Sequence, residues 1–213
     1  MALKTKLEVA EIRHDIIRLG KSTKDYVKSA KAHKHTEAGY YDVNNVNMSG
    51  AIEIEDAWWL YNYIYEHENI HTILEVGTWF GTSAEIMACA MADAGREGKV
   101  YTCCLDNLYL GTRLHHHSMI NYYNRESTGV FRKHIEAKTE FNFAFLDGRL
   151  CPGDAELLLK LMKIPYAIAV HDSDPIHKGG KNIVEIMKRL EHAESISFKR
   201  HVTRVMGLLT VLE

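Results

Sequence analysis

From Thr72 onward the chain alternates short apolar runs with segments whose apolar residues recur at helical spacing. The runs "TILEV", "KVYTCCLD", "FNFAFLD", "YAIAVHD" and "GLLTVLE" predict strands. Between them, "SAEIMACAMADAG", "DAELLLKLMK" and "KNIVEIMKRLEHA" predict helices, the first closed by Gly95. The stretch from Leu108 to Lys138 is polar and His-rich, and is predicted helical in part. Strands alternating with helices imply an α/β domain, a parallel sheet with helices on both faces.

The first fifty residues read differently. Leu7, Ile12, Ile16, Ile17 and Val27 lie among frequent charges and predict one or two amphipathic helices over residues 4 to 34. "EAGYYDVNNVNMSG" follows as a turn-rich segment. "IEDAWWLYNYIYEHEN" then repeats apolar and aromatic residues at helical spacing, its rings expected to pack a helix onto the sheet. The division is an N-terminal helical extension over 1–50, a lid or dimer contact, and a main domain over 51–213.

Three predicted strands end in an acid, at Asp106, Asp147 and Asp172. Singly, such acids read as caps of the next helix. Ligands of open α/β sheets, however, bind outside the carboxyl ends of the strands, where three acids would converge. A fourth acid, Glu75, precedes the turn "GTWFGTS" between the first strand and its helix. Gly77 and Gly81 there admit positive φ and let a ligand approach bare backbone. A dinucleotide fingerprint would place its second glycine where Trp79 stands, and no Lys-Ser or Lys-Thr follows Gly81 as in a phosphate-cradling loop. The expected ligand therefore has no pyrophosphate.

Composition narrows the class. The 213 residues carry 26 basic and 28 acidic side chains, a balance that draws the chain to neither nucleic acid nor an acidic membrane. No apolar run is long enough to span a bilayer. Cys89, Cys103, Cys104 and Cys151 form no C-x-x-C pair and read as reduced thiols of a cytoplasmic protein.

The ordered set "LEVGTWFGTSAEIM", "VYTCCLD", "FNFAFLDG" and "YAIAVHDS", with "HKGGKNIVEIMKRL" and "GLLTVLE" after it, resembles the motifs of class I S-adenosylmethionine-dependent methyltransferases, small-molecule O-methyltransferases above all. The resemblance runs from about residue 50 to the end. It implies a Rossmann-like, doubly wound, mostly parallel seven-stranded sheet with an antiparallel last strand, plus N-terminal helices. It also implies methyl transfer from S-adenosylmethionine to a small molecule, at oxygen. Glu75, Gly77 and Gly81 would lie along the methionine part of the donor, with Thr78, Trp79 and Ser83 lining the turn. Asp106 would accept from both ribose hydroxyls, with Asn107 beside it. Asp147 would face the transferred methyl and Asp172 the acceptor. Departures begin after Gly148, where Arg149, Leu150 and Cys151 stand in place of the family's usual residues.

Asp147 and Asp172 are hard oxygen donors suited to Mg²⁺ or another divalent cation. His171 is the candidate general base, against a purely structural histidine held by backbone. His177 sits in the following loop. His115, His116 and His117 are consecutive and so face different ways on a helix, which favours a lid or surface role over a metal tract. A homodimer is one use of the N-terminal helix. Two rival readings are a catalytically inactive donor-binding module and a nicotinamide-dependent oxidoreductase, the latter opposed by Trp79.

Overall fold

The computed structural model describes residues 3–22, 52–105, 108–173, 178–190, 196–200 and 207–211. Its helices are α1 (Lys6–Lys21), α2 (Ile54–Glu66), α3 (Thr82–Asp93), α4 (Ser127–Glu136), α5 (Asp154–Leu161) and α6 (Lys178–Leu190). Its strands are β1 (Thr72–Val76), β2 (Lys99–Cys104), β3 (Ile120–Asn124), β4 (Phe141–Leu146), β5 (Met162–Val170), β6 (Ile196–Arg200) and β7 (Gly207–Val211). They line up as β3-β2-β1-β4-β5-β7-β6. Strands β1 to β5 pair in parallel, and the last strand, β7, runs antiparallel to both neighbours. The strand order reverses between β1 and β4, where an open sheet of this kind leaves a crevice.

Period-2 alternation sorts the strand side chains into two cores. Ile73, Phe143, Phe145, Ala167 and Ala169 face the layer of α1, α2 and α3. Leu74, Val76, Ala144, Leu146, Ile168 and Val170 face α4, α5 and α6. The helix α3 is buried along nearly its whole length, in keeping with its run of alanines and methionines. The expected aromatic packing is present on α2: Trp59 stacks on Tyr63, and Tyr63 meets Phe143 of β4.

Between Leu108 and Lys138 the chain forms two short 3₁₀ turns, then β3, then α4. β3, "INYYN", was not among the strands expected from the sequence. It is an edge strand whose side chains are mostly only half-buried, so it lacks the apolar run that marks the inner strands.

The helix α1 opens with a capping box, in which the Thr5 hydroxyl accepts from the Glu8 amide at 3.3 Å and the Glu8 carboxylate accepts from the Thr5 amide at 2.7 Å. Its sequence neighbours Val9, Ala10, Arg13, Ile16, Ile17 and Gly20 form the buried face. Lys4, just ahead of it, pairs with Asp93 at the end of α3 (2.9 Å), so α1 starts at the amino edge of the sheet and runs toward the carboxyl edge. There Gly20 meets the ring of Phe80 in the β1–α3 turn.

That contact reverses a usual rule. Gly→Ala inside a helix ordinarily stabilises by about 0.5–1 kcal/mol. A Cβ at Gly20 would lie 2.5 Å from Cγ of the fully buried Phe80. Gly20→Ala is therefore expected to destabilise the fold by about 1–3 kcal/mol, as overpacked sites do, measured by urea denaturation. A stabilised variant would mean that α1 does not dock on the turn as described.

Candidate active site

The turn after β1 carries φ of +112° at Gly77, +48° at Trp79 and +93° at Gly81. Both glycines answer first to the protein's own packing. A Cβ at Gly77 would sit 2.6 Å from the amide nitrogen of Gly148 and 2.8 Å from the carbonyl carbon of Asp147. A Cβ at Gly148 would in turn meet Val76 at 2.8 Å. The ends of β1 and β4 are thus pressed together, and the Val76 carbonyl accepts from the amides of Asp147 (2.9 Å) and Gly148 (2.6 Å). At Gly81 the obstruction would be the side chains of Leu114 and Tyr109, each at 2.9 Å. The expectation that these positions are bare for a ligand thus acquires a second, internal cause.

Glu75 is fully buried. One carboxylate oxygen accepts from the Ser83 hydroxyl at the start of α3, the other from the Thr102 hydroxyl on β2. Thr78 lies behind, its hydroxyl 2.6 Å from that of Thr102. The acid thereby ties β1, β2 and α3 together beneath the turn. Burial pushes its carboxyl up to about 8, against the two hydrogen bonds, with the charge of Asp147 adding to the rise.

Above this clamp, a crevice of about 250 Å³ opens at the carboxyl ends of β1, β2, β3 and β4, between Gly77, Cys104, Arg125, Glu126, Gly148 and Arg149. Leu105 also lines it; the next two residues, Asp106 and Asn107, fall outside the described residues, as does His177. Gly81 caps α3 with no side-chain hydrogen bond. Thr82, the first helical residue, has a buried hydroxyl with no partner among the described residues. An amino-terminal helix end with open N–H groups and an orphaned hydroxyl is a ready acceptor site for a carboxylate.

Beside the crevice, Asp147, His171 and Asp172 bring one ligating atom each to within 4.8 Å of one another. His171 Nδ1 lies 3.1 Å from Asp147 and 3.5 Å from Asp172, and its Nε2 lies 3.2 Å from Asp56. Burial pulls the imidazole down, but the charge and hydrogen bond of Asp147, helped by Asp56 and Asp172, hold it up at about 10. At neutral pH it is an imidazolium donating from both nitrogens. Asp172 adopts φ of +52°, a left-handed conformation that turns the chain sharply after β5.

Asp56 is the residue that the sequence reading missed. It is fully buried in the first turn of α2, 115 positions from its partner His171. An acid in a first turn is ordinary helix chemistry, and nothing local marks it as part of a site. The three consecutive histidines divide as their directions require. His116 donates its amide to both oxygens of buried Glu85 on α3 (3.1 Å each) and brings Nδ1 to 2.7 Å of one of them. That hydrogen bond raises its pKa. His117 meets the Leu114 carbonyl, so the run anchors a surface segment to α3.

The Glu75 clamp makes a pH prediction. A carboxyl raised from 4.5 to about 8 keeps its proton in the folded chain while the unfolded chain releases it. Its contribution is complete below pH 4.5 and is lost as pH rises to 8. Glu75→Gln, which can still bond Ser83 and Thr102, is expected to gain stability over the parent steadily across that window and to hold a constant advantage above it. Urea midpoints at pH 5 and 8.5 measure the difference, and a gap that does not widen would refute the buried neutral acid.

No family model matches the chain, and no curated protein matches its sequence. Solved structures do. An O-methyltransferase, TomG, from Streptomyces achromogenes, involved in tomaymycin synthesis and solved with S-adenosylmethionine, superposes with TM-score 0.61 at 17% identity over 90% of this chain and 91% of its own. An O-methyltransferase from Bacillus cereus, solved with S-adenosylhomocysteine, gives 0.60 at 13% identity over 89% and 90%. A Podospora anserina methyltransferase, PaMTH1, bound to S-adenosylhomocysteine, gives 0.53 at 12% identity over 88% and 87%. The chain has the Rossmann-like α/β fold of the S-adenosylmethionine-dependent O-methyltransferases.

Proposed function

We propose that the protein transfers a methyl group from S-adenosylmethionine to an oxygen of a small molecule. One observation carries the reading: around the β1–β4 reversal, at the carboxyl ends of the strands, stand a crevice lined by Gly77 and Gly148, the amino terminus of α3 with the orphaned Thr82 hydroxyl, and the carboxylate–imidazole cluster that begins at Asp147. The named structural neighbours, two of them O-methyltransferases, support it.

These residues fit the donor. Its amino-acid carboxylate suits the open N–H groups of α3 and the Thr82 hydroxyl; its ribose is assigned to Asp106, two positions past β2 in the sequence and outside the described residues. Gly77, Thr78, Trp79 and Ser83 form the turn beneath it, with Glu75 holding that turn in place. When bound, the donor supplies an electrophilic methyl on a sulfonium, with a neutral thioether as leaving group. The protein has mainly to align acceptor and methyl, and alignment alone accounts for a large part of such rate enhancements.

Asp147 and Asp172 offer the oxygens that would hold a divalent cation, whose contribution when bound is to lower the pKa of an acceptor hydroxyl; His171, with both nitrogens engaged by carboxylates, would orient those oxygens and not ligate the ion. His171 is proposed to act chiefly through its position: as an imidazolium fixed by Asp56, it gathers Asp147 and Asp172 at the rim. It serves as a base only in its neutral form, which its three carboxylates disfavour.

Calorimetric titration with S-adenosylhomocysteine tests the donor site. The chain is expected to bind it, and Asp106→Ala to weaken binding about tenfold or more, the cost of two hydroxyls losing a charged acceptor. Heat from NAD but none from S-adenosylhomocysteine would reject the reading. Asp172→Asn is expected to leave that affinity within about threefold while cutting turnover with Mg²⁺ about a hundredfold, a loss typical of removing one charged group at a reacting centre. Equal losses in affinity and turnover would make Asp172 a structural residue instead.

A further inference from the structure

A buried cation away from the carboxylate cluster makes no ion pair among the described residues. Arg13, on the buried face of α1, is 1% exposed. Its Nε donates to the carbonyl of Ile52, just ahead of α2. Both terminal nitrogens are buried and have no hydrogen-bond partner among the described residues. Nor does Arg13 make an ion pair among them. Glu53 and Glu55 act on it only through charge at a distance, and burial outweighs them, so that its pKa falls. Glu55 is paired with Lys6 at 2.7 Å, and Asp56 is engaged by His171.

An unpaired guanidinium in the interior is costly, and proteins seldom keep one without a partner. The dipole of α2 acts at this end of the helix, against the acids Glu53 and Glu55 that stand there. The amino terminus of α2, with Glu53 as an N-cap that makes no side-chain hydrogen bond, lies next to the Ile52 carbonyl that holds Arg13. Two open donors in a planar fork beside a helix amino terminus are built for an oxyanion with two acceptors, a carboxylate or a phosphate.

Position ties this fork to the site. Helix α2 runs from the carboxyl edge of the sheet, where Asp56 in its first turn reaches His171, back to β1. Ile52 precedes Asp56 by four residues, at the entry to the same helix. On α1, Gly20 packs on Phe80 of the turn beneath the donor crevice, seven residues beyond Arg13. The start of α2 therefore links the two sites: the carbonyl just before it holds Arg13, and Asp56 in its first turn holds His171.

We infer that Arg13 binds an anionic group of the methyl acceptor, so that the substrate class is a small carboxylate- or phosphate-bearing molecule. The inference rests on the methyltransferase reading for the word acceptor, but the anion site stands on Arg13 itself.

Thermal unfolding at constant ionic strength tests it, with sodium benzoate and inorganic phosphate titrated against sodium chloride. The parent chain is expected to be stabilised saturably by benzoate, by phosphate or by both, the two arms separating a carboxylate site from a phosphate site. Arg13→Met is expected to lose that response and, without anion, to melt no lower than the parent, because the uncompensated charge is gone. Arg13→Lys keeps the charge but not the fork, and its apparent anion affinity is expected to fall about tenfold. It also decides the matter should Arg13→Met fail to fold. No saturable response in the parent, or an undiminished response in Arg13→Lys, overturns the anion site. So does an Arg13→Met protein that melts lower and keeps the parent's response. Titrating the same samples with S-adenosylhomocysteine keeps the two ideas apart: its failure to bind removes the methyltransferase reading, while the anion arms still report on Arg13.

Discussion

The site depends on the main chains at the ends of β1 and β4 coming almost into contact. The Val76 carbonyl receives two amides from the other strand, and this geometry holds only because neither Gly77 nor Gly148 has a side chain. The rest of the candidate site hangs from that junction. On one side it aims the turn into α3 and leaves the helix end open. On the other it sets Asp147 at the rim beside His171. Glu75 braces the junction from below, and the cost of burying its carboxyl is met by keeping it neutral through most of the physiological range rather than by pairing it with a cation.

Charge is distributed by a different rule at the rim. His171 gathers three carboxylates from three parts of the chain: Asp56 from α2, Asp147 after β4 and Asp172 after β5. Among the described residues, one imidazolium thus stands against three acids. Arg13 is the counterpart, a buried positive charge whose terminal nitrogens have no hydrogen-bond partner among the described residues. Both sites involve helix α2: Asp56 through its first turn, Arg13 through the carbonyl just before it.

What could be read from the sequence follows from how local each signal is. Period-2 apolar runs ending in acid revealed β4 and β5 and with them Asp147 and Asp172, because strand period and strand end are both written in neighbouring residues. The glycines of the β1–α3 turn were equally visible, but their cause was not: Gly77 is constrained by residues seventy positions away, Gly81 by Tyr109 and Leu114. Edge strand β3 escaped notice because its residues are mostly half-buried and its composition is polar. Asp56 and Arg13 escaped for a stronger reason. An acid in a first helical turn and an arginine on an amphipathic helix are what any surface helix contains, and only tertiary packing turns one into a ligand of His171 and the other into a buried cation.

In the proposed function, donor and acceptor recognition fall to different parts of the chain. The proposed donor crevice is built from strand ends and one turn, elements whose sequence is constrained by the sheet itself. Arg13 and Asp56 instead come from helices that precede the sheet in the chain and pack against it through Val9, Ile16 and Leu60. Substitutions on those helices can change the charge and shape presented to an acceptor without disturbing the β1–β4 junction. A chain that keeps the glycine turn and the strand-end acids, but places a different residue at position 13, would then share the donor and differ in what it methylates.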